Sequence, residues 1–377
     1  MSSSRRSIHM KYIGFALLVL LAATSSNTGA ADTQPAQPQT GFVVNVRDFG
    51  AVGDGVKDDA PAIQSAMNAL QKAGHGKIVF EPFAVYRLSR WVGLHNVNDF
   101  EIDGQGATLK PTDRATVFGT EGDTLRLVAC NRVRVHDLTF DGNRTRRGHP
   151  LRSTTPETFR INGCTDFVVR DCHFRDSVCD DVFLWCNLDP TNINDRCQYG
   201  RITGCTFENP WRNCVSVIHG CFIRIDHNVF RDAQTSSPFA GIDIEPNRGD
   251  APGITHDIDI ESNTFVNCGA GAAAYYGKSG THHVTFTSNR VSKCKIGLYS
   301  EAVDSAFIGN TLDEAPLIAA NCDRNRMLNN VVTRSYLYVD TLGVDNPAGH
   351  VVIDNVADEI HVEGAKGHTI SEGNVKK

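Results

Sequence analysis

From about Val135 to the C-terminus one pattern returns every 20 to 35 residues. An apolar residue is followed three positions on by Asn or Cys, and two further on by Phe or another apolar residue. The copies are Val169-Arg-Asp-Cys172-His-Phe174, Ile202-Thr-Gly-Cys205-Thr-Phe207, Ile225-Asp-His-Asn228-Val-Phe230, Ile260-Glu-Ser-Asn263-Thr-Phe265, Phe286-Thr-Ser-Asn289-Arg-Val291, Phe307-Ile-Gly-Asn310-Thr-Leu312 and Met327-Leu-Asn-Asn330-Val-Val332. Val352 to Asn355 is a shorter echo. A unit this short cannot bury its apolar face alone, so the copies have to stack. They are short β-rich runs between turns, with almost no helical period, and the stack they form is a parallel β-solenoid. Residues at equal positions in successive units then become surface neighbours.

With 377 residues and 41% hydrophobic content, one long core is expected rather than two globular domains. A net charge of −6 argues against a general nucleic-acid binder. Residues 1–30 read as an export signal: Arg5, Arg6 and Lys11, an apolar run from Tyr12 to Ala23, then small residues at Thr28-Gly-Ala30. That run is too short to span a membrane, and no later segment looks transmembrane, so stable membrane insertion is not expected. Residues 31–41 read as a disordered lead-in and residues 42–377 as the solenoid domain. The expected location is secreted or periplasmic.

Twelve cysteines in an exported chain raise the question of disulfides. Stacking places Cys130 beside Cys164, Cys172 beside Cys205 and Cys268 beside Cys294. Rungs ~4.8 Å apart are within disulfide reach, and a ladder of buried thiols fits as well. Cys186 and Cys197 flank one loop and are the better local bridge. No cysteine pair has zinc spacing with histidines, so no metal cluster is expected.

Residues 42–110 form the opening segment. Val43 to Phe49 reads as a strand. Asp58-Asp-Ala-Pro61 then starts a helix, with Pro in the first turn and acids near its positive end. Ile63, Met67 and Leu70 share one face, and Gly74 ends the helix. A short amphipathic helix here is placed to cap the open apolar end of a solenoid.

The run Asn45-Val-Arg-Asp-Phe-Gly-Ala-Val-Gly-Asp-Gly-Val-Lys-Asp-Asp-Ala-Pro-Ala-Ile-Gln-Ser-Ala66, followed by Gly76-Lys-Ile-Val-Phe80 and Tyr86, resembles the start of pectate-lyase-like β-helix proteins. That branch includes rhamnogalacturonases, polygalacturonases, epimerase-like proteins and phage tailspikes. The resemblance implies an all-β, single-stranded right-handed parallel β-helix of three sheets with an N-terminal capping helix. Right-handed crossovers are also the physical default. It leaves the reaction open, because fold does not determine chemistry.

Each repeat holds a second short strand, aligned as Leu125-Arg-Leu127, Phe159-Arg-Ile161, Val182-Phe-Leu184, Val215-Ser-Val217, Ile242-Asp-Ile244, Ala272-Ala-Ala274, Leu298-Tyr-Ser300, Leu317-Ile-Ala319 and Leu337-Tyr-Val339. Side chains alternate across a strand, so the middle residues face outward. That column reads Arg126, Arg160, Phe183, Ser216, Asp243, Ala273, Tyr299, Ile318, Tyr338. Two residues on, a second column includes Asn162, Trp185, Ile218, Glu245, Tyr275 and Glu301. Sugars stack on aromatic faces, and arginines grip uronate or sulfate groups in bidentate fashion. Arg126, Arg160, Phe183, Trp185, Arg212, His219, Tyr275, Tyr299 and Glu301 are therefore the expected substrate-binding residues. A solvated sheet that binds nothing would also show polar and aromatic residues outside. The basic insertion between Gly142 and Glu157 beside these rungs points to an anionic ligand.

Two constellations offer chemistry. Asp243 and Glu245, two apart on one strand, have Cα atoms roughly 6.6 Å apart, near the ~6.5–9.5 Å carboxyl spacing of inverting glycosidases. Asp180 and Asp181 precede the Val182 strand and resemble the paired aspartates of polygalacturonases. The neighbouring rungs read Pro156-Glu-Thr158 and Arg212-Asn-Cys214 where that family has Asn-Thr-Asp and Gly-His-Gly, so only the aspartates carry over. The alternative for a turn-position Asp pair is strand-end capping. Crowded carboxylates raise one another's pKa, so one can act as acid and another as base. The second constellation is β-elimination or C5 epimerisation, with Arg126, Arg160 or Arg212 neutralising a uronate and His219, Tyr275 or Lys278 as base. Hydrolysis needs no cofactor or metal; in the lyase alternative Asp243 and Glu245 would hold calcium. The expected partner is a polysaccharide, acted on by a glycosidase or lyase, with a non-catalytic carbohydrate-binding or adhesion solenoid as the third reading. Monomer and trimer both stay open.

Overall fold

The computed structural model describes residues 41–117, 119–148, 156–247, 250, 253–275, 280–342, 344, 347–363 and 369–377. The expected export signal, most of the lead-in, Lys278 and part of the basic insertion lie outside these residues. Each coil gives one strand to each of three parallel sheets. The first sheet runs from Val43–Asn45 to Ile370–Glu372. The second holds three-residue strands such as Thr139–Asp141, His173–Arg175 and Thr206–Glu208. The third runs through Phe159–Asn162, Val182–Trp185, Val215–Val217 and Ala240–Ile244. Near the C-terminus one long strand, Val331–Val339, serves both the second and the third sheet.

The sequence repeat reads as two strands, but the structure makes three. The break falls just before the Asn or Cys of the motif, where Asp171, Gly204, His227, Ser262, Ser288, Gly309, Asn329 and Asp354 all have positive φ. Left-handed backbone is costly for most residues, and here it turns the chain a full sheet at every coil. The following asparagine compensates. Asn289 Nδ2 donates to Ile260 O at 2.8 Å and to Asn310 Oδ1 at 3.0 Å, while its own Oδ1 accepts from Asn263 N at 3.0 Å. The same bonds link Asn228, Asn263, Asn289, Asn310, Asn330, Asn355 and Asn374 into a buried amide ladder.

Two positions beyond each amide or thiol, the aromatic residues enter the core. Phe140, Phe174, Phe207, Phe230 and Phe265 stack with ring centroids 4.6, 4.8, 4.9 and 4.9 Å apart. That is the rung spacing itself.

Helix α1 (Ala60–Ala73) lies at the N-terminal end, with Ile63, Met67 and Leu70 fully buried and Gly74 closing it in the left-handed conformation. Its Gln64 side chain accepts from Gly93 N at 2.9 Å and donates to Gly93 O at 3.0 Å, satisfying the open edge of the third sheet. The expected strand at 43–49 is shorter than read. After Asn45 the chain enters a 3-10 turn, Val46–Phe49, because the Asn45 side chain accepts from Arg47 N and caps it.

The twelve cysteines are buried free thiols. Cys130 N donates to Cys164 Sγ at 3.4 Å, so stacked cysteines touch without being bonded. The expected Cys186–Cys197 bridge is absent. Cys197 Sγ instead points to the carbonyls of Ile161 and Trp185, at 3.2 and 3.3 Å.

Replacing Asn289 by Ala strips the partner of a buried Asn263 N–H and two carbonyl-type acceptors of their donor. The expected loss is about 2–4 kcal/mol by denaturant titration, against under about 0.5 kcal/mol for the exposed Gln234→Ala. Equal midpoints for the two variants would contradict the ladder's role.

Candidate active site

The third sheet pairs the aligned triplets residue for residue. Arg126, Arg160, Phe183, Ser216, Asp243, Ala273, Tyr299, Ile318 and Tyr338 are successive register partners. One shallow trough thus runs along this face.

Strict alternation fails at the start of each strand. A Cβ on Gly241 would meet Gly271 O at 2.6 Å and the Phe265 ring at 2.7 Å, so this position turns toward the core. The residue three before each triplet's middle therefore joins the outer face. This adds a column of Asp123, Glu157, Asp180 and Asn213, all buried. The offset was present in the sequence, but a two-residue period hides it.

The column binds the arginines. Asp123 Oδ2 accepts from Arg126 Nε at 2.8 Å and Arg160 Nε at 2.7 Å. The Arg126 guanidinium lies 4.1 Å from the Trp91 ring centre, and that of Arg160 lies 5.0 Å from Phe183. Arg212 reaches three carboxylates: Asp180 Oδ2 at 2.8 Å, Asp243 Oδ2 at 3.5 Å and Glu245 Oε2 at 3.6 Å. Asp180 also accepts from Ser216 Oγ at 2.6 Å, and Asp243 from Asn213 Nδ2 at 2.9 Å.

These surroundings bias two of the carboxyls toward their neutral forms. Burial, then the charge of Glu245, pushes the Asp243 carboxyl well above its usual range. Its side chain is fully buried and its Oδ1 has no hydrogen-bond partner among the described residues, while the Glu245 side chain is 31% exposed. Glu157 is pushed up the same way, by burial and then by Asp180. Burial works against the charge of Arg212, but Asp180 and Asp243 outweigh it and hold the guanidinium above its ordinary range.

At the N-terminal end of the trough a cleft of about 410 Å³ is lined by His95, Arg126, Arg160, Asn162, Phe183 and Trp185. Arg126 Nη2, Arg160 Nη2 and Asn162 Oδ1 have no hydrogen-bond partner among the described residues. Phe183 and Trp185 stack at 5.5 Å. At the other end Tyr275 and Tyr299 sit 5.4 Å apart, and the Tyr299 hydroxyl donates to Glu301 at 2.6 Å.

Four expectations are revised by these positions. Arg212 is not a free uronate clamp, because it is the internal counter-ion of the carboxylates. His219 is not poised as a base: it is buried, its Nε2 meets Asp250 at 2.8 Å, its Nδ1 accepts from Cys186 N, and its ring abuts Trp185 at 4.4 Å. Burial also lowers its pKa, so it props the aromatic wall. Asp181 does not stand beside Asp180 on the outer face. It is fully buried near Ser177 and Arg144, and burial pushes its carboxyl up. Calcium does not fit Asp243 and Glu245, since the Arg212 cation already holds both. Glu157, Cys179 and Asp180 bring ligand atoms within 4.8 Å of one another, but Arg160 and Arg212 already flank them.

Comparison with known proteins agrees with this architecture. A family profile, rhamnogalacturonase A/epimerase, pectate lyase-like, matches residues 43–122. An exopolygalacturonase from Thermotoga maritima superposes with a TM-score of 0.64 at 14% identity, covering 90% of this chain and 93% of that one. Over residues 43–122 the chain carries the pectate lyase-like profile, and its fold is the one these β-helix structures share. The mannuronan C5-epimerase AlgE2 of Azotobacter vinelandii is 37% identical over 112 residues, which are 26% of this chain and 11% of the epimerase. A capsule K30/K69-specific depolymerase of Klebsiella phage K5-2 is 25% identical over 354 residues, 89% of this chain and 40% of the depolymerase. The chain thus spans a minor part of the length of these two relatives.

The raised Asp243 carboxyl gives a pH signature. A group whose folded pKa is raised stabilises the fold only while protonated: fully below the unfolded carboxyl value near 4, and progressively less as pH rises. Asp243→Asn removes that loss. It is expected to raise stability at pH 7 by roughly 0.5–2 kcal/mol, with the gain vanishing below about pH 4. Thermal melts across pH check this; a variant less stable at pH 7 would show Asp243 to be held as a structural anion.

Proposed function

We propose that the protein hydrolyses glycosidic bonds of an acidic polysaccharide in the trough of the third sheet. The observation that carries this reading is Arg212 gathering Asp180, Asp243 and Glu245, with Asp243 biased to its neutral form. A carboxyl biased to its neutral form beside a second carboxyl within reach of solvent offers an acid and base pair. Asp243 is the acid; its side chain is fully buried, so its Oδ1, without a hydrogen-bond partner among the described residues, meets a leaving oxygen only after the residues covering it shift. Glu245, within reach of solvent, is the base that activates water. Asp180, Ser216 and Asn213 position this pair through their bonds to Arg212 and Asp243.

Trp185, Tyr275 and Tyr299 offer stacking surface to sugar rings, while Phe183, expected to do the same, is buried between Arg160 and Trp185. The open hydrogen-bond capacity of Arg126 and Arg160 suits an anionic substituent. The relatives point the same way, since their names cover polygalacturonate, mannuronan and capsule as substrates. An export signal over residues 1–30 accords with a substrate outside the cell, so we read the protein as secreted or periplasmic. The local identity to a mannuronan C5-epimerase favours a second reading, proton abstraction at a uronate C5.

One assay separates the readings. Polygalacturonate, alginate and capsular polysaccharides are incubated with the full chain, and reducing ends, unsaturated ends and uronate stereochemistry are followed. New reducing ends without ultraviolet-absorbing unsaturated ends are expected. Asp243→Asn and Glu245→Gln should each lower kcat at least about 100-fold. Unsaturated or inverted uronates would favour elimination or epimerisation, binding without product a non-catalytic solenoid, and turnover surviving both changes another pair of residues.

A further inference from the structure

The second sheet carries its own outward charge ladder, on a different face from the trough. Asp141, Arg175, Glu208 and Arg231 are successive register partners. Their signs alternate, and each arginine has an acid one rung away: Arg175 with Asp141 at 3.1 Å, Arg231 with Glu208 at 3.5 Å. Opposite charges on adjacent strands are mildly stabilising, and like charges the reverse.

The alternation fails toward the N-terminus. Arg87 and Lys110 are register partners with no acid between them. Arg146, on the short turn after Asp141, joins them around a cleft of about 430 Å³. Asp113 is the one carboxylate in the lining. Its Oδ1 is already shared by Arg87 Nη2 at 2.6 Å and Asn143 Nδ2 at 2.9 Å. Lys110 leans on Asp141 at 3.1 Å, an acid that Arg175 also takes. The cleft therefore holds more positive than negative charge, in a chain of net charge −6. Arg147 fixes the turn that carries Arg146, donating to Thr116 O at 2.5 Å and Gly122 O at 2.8 Å. The cations are thus gathered by the fold.

We propose that this cleft is a second anion site, which takes a carboxylate substituent of an acidic polysaccharide and tethers the chain beside the catalytic trough. The lining has no aromatic residue, so the group bound is the charge, not a stacked ring. The polysaccharide as its source rests on the functional reading above; the anion site rests on the charge surplus alone.

The test is affinity electrophoresis of the full chain in gels with polygalacturonate or alginate, beside calorimetric titration with sodium sulfate. Wild type should be retarded, and Lys110→Gln with Arg146→Glu should weaken retention about fivefold or more. Arg326→Glu, a charge reversal on the exposed first sheet, should leave it unchanged. Cleavage of short oligosaccharides should be the same in all three proteins. No retention of wild type together with no sulfate binding, retention untouched by the double change, or equal loss in Arg326→Glu would each overturn the site. Sulfate binding lost in the double variant, without polyuronate retention, would keep the anion site and overturn the polysaccharide. Retention that depends on Lys110 and Arg146 in a protein that cuts nothing would sink the catalytic reading and leave this one standing.

Discussion

Every feature of this molecule depends on coils stacking in register. The buried amide ladder from Asn228 to Asn374 enforces it, because each side chain must meet the backbone N–H of the coil before it and the amide of the coil after. A slip of one residue would leave those groups unpaired in the interior, where each orphan costs about 1–3 kcal/mol. The stacked phenylalanines add apolar area but are less selective, since one ring slides on another more cheaply than an amide changes partner.

In-register stacking also explains why charged groups can crowd the trough. Asp123, Glu157, Asp180, Asp243 and Glu245 share the face with Arg126, Arg160 and Arg212. Acids outnumber guanidinium groups and most are buried, so not all can ionise cheaply. The fold resolves the conflict unevenly. Arg212 favours charge on its partners, while burial drives Glu157 and Asp243 toward the neutral form. Apolar residues in these positions would be cheaper for stability alone. Acids buried at the expense of the fold are the pattern that functional sites share, and the proposed reaction rests on it.

Much of this was legible in the sequence. The motif set the register of the coils it marks, and the nine aligned triplets are neighbours in the third sheet as read. Two things were hidden. The family resemblance implied three sheets, but the repeat alone merges the second with the first, because a left-handed turn at a residue such as Asp171 or Ser262 leaves no glycine to mark it. Glu157 was read one rung before Asp180, but Asp123 and Asn213 in the same column were missed because the backbone bends ahead of each triplet and breaks the two-residue period. For the same reason Asp181 is turned away from Asp180. The bonds of Arg212 and His219 could not be read at all, since spacing tells which rung a side chain occupies and not which neighbour it chooses.

The central claim is that Arg212 and Asp243, thirty-one residues apart in the chain, form one electrostatic unit on the trough. A double-mutant cycle of Arg212→Met and Asp243→Asn, read by denaturant unfolding at pH 7, tests it most directly. Arg212→Met alone should cost about 3–5 kcal/mol by stranding buried carboxylates, and Asp243→Asn should recover part of it, with a coupling of about 1–3 kcal/mol. Effects that add within about 0.5 kcal/mol would mean the two side chains do not share a site.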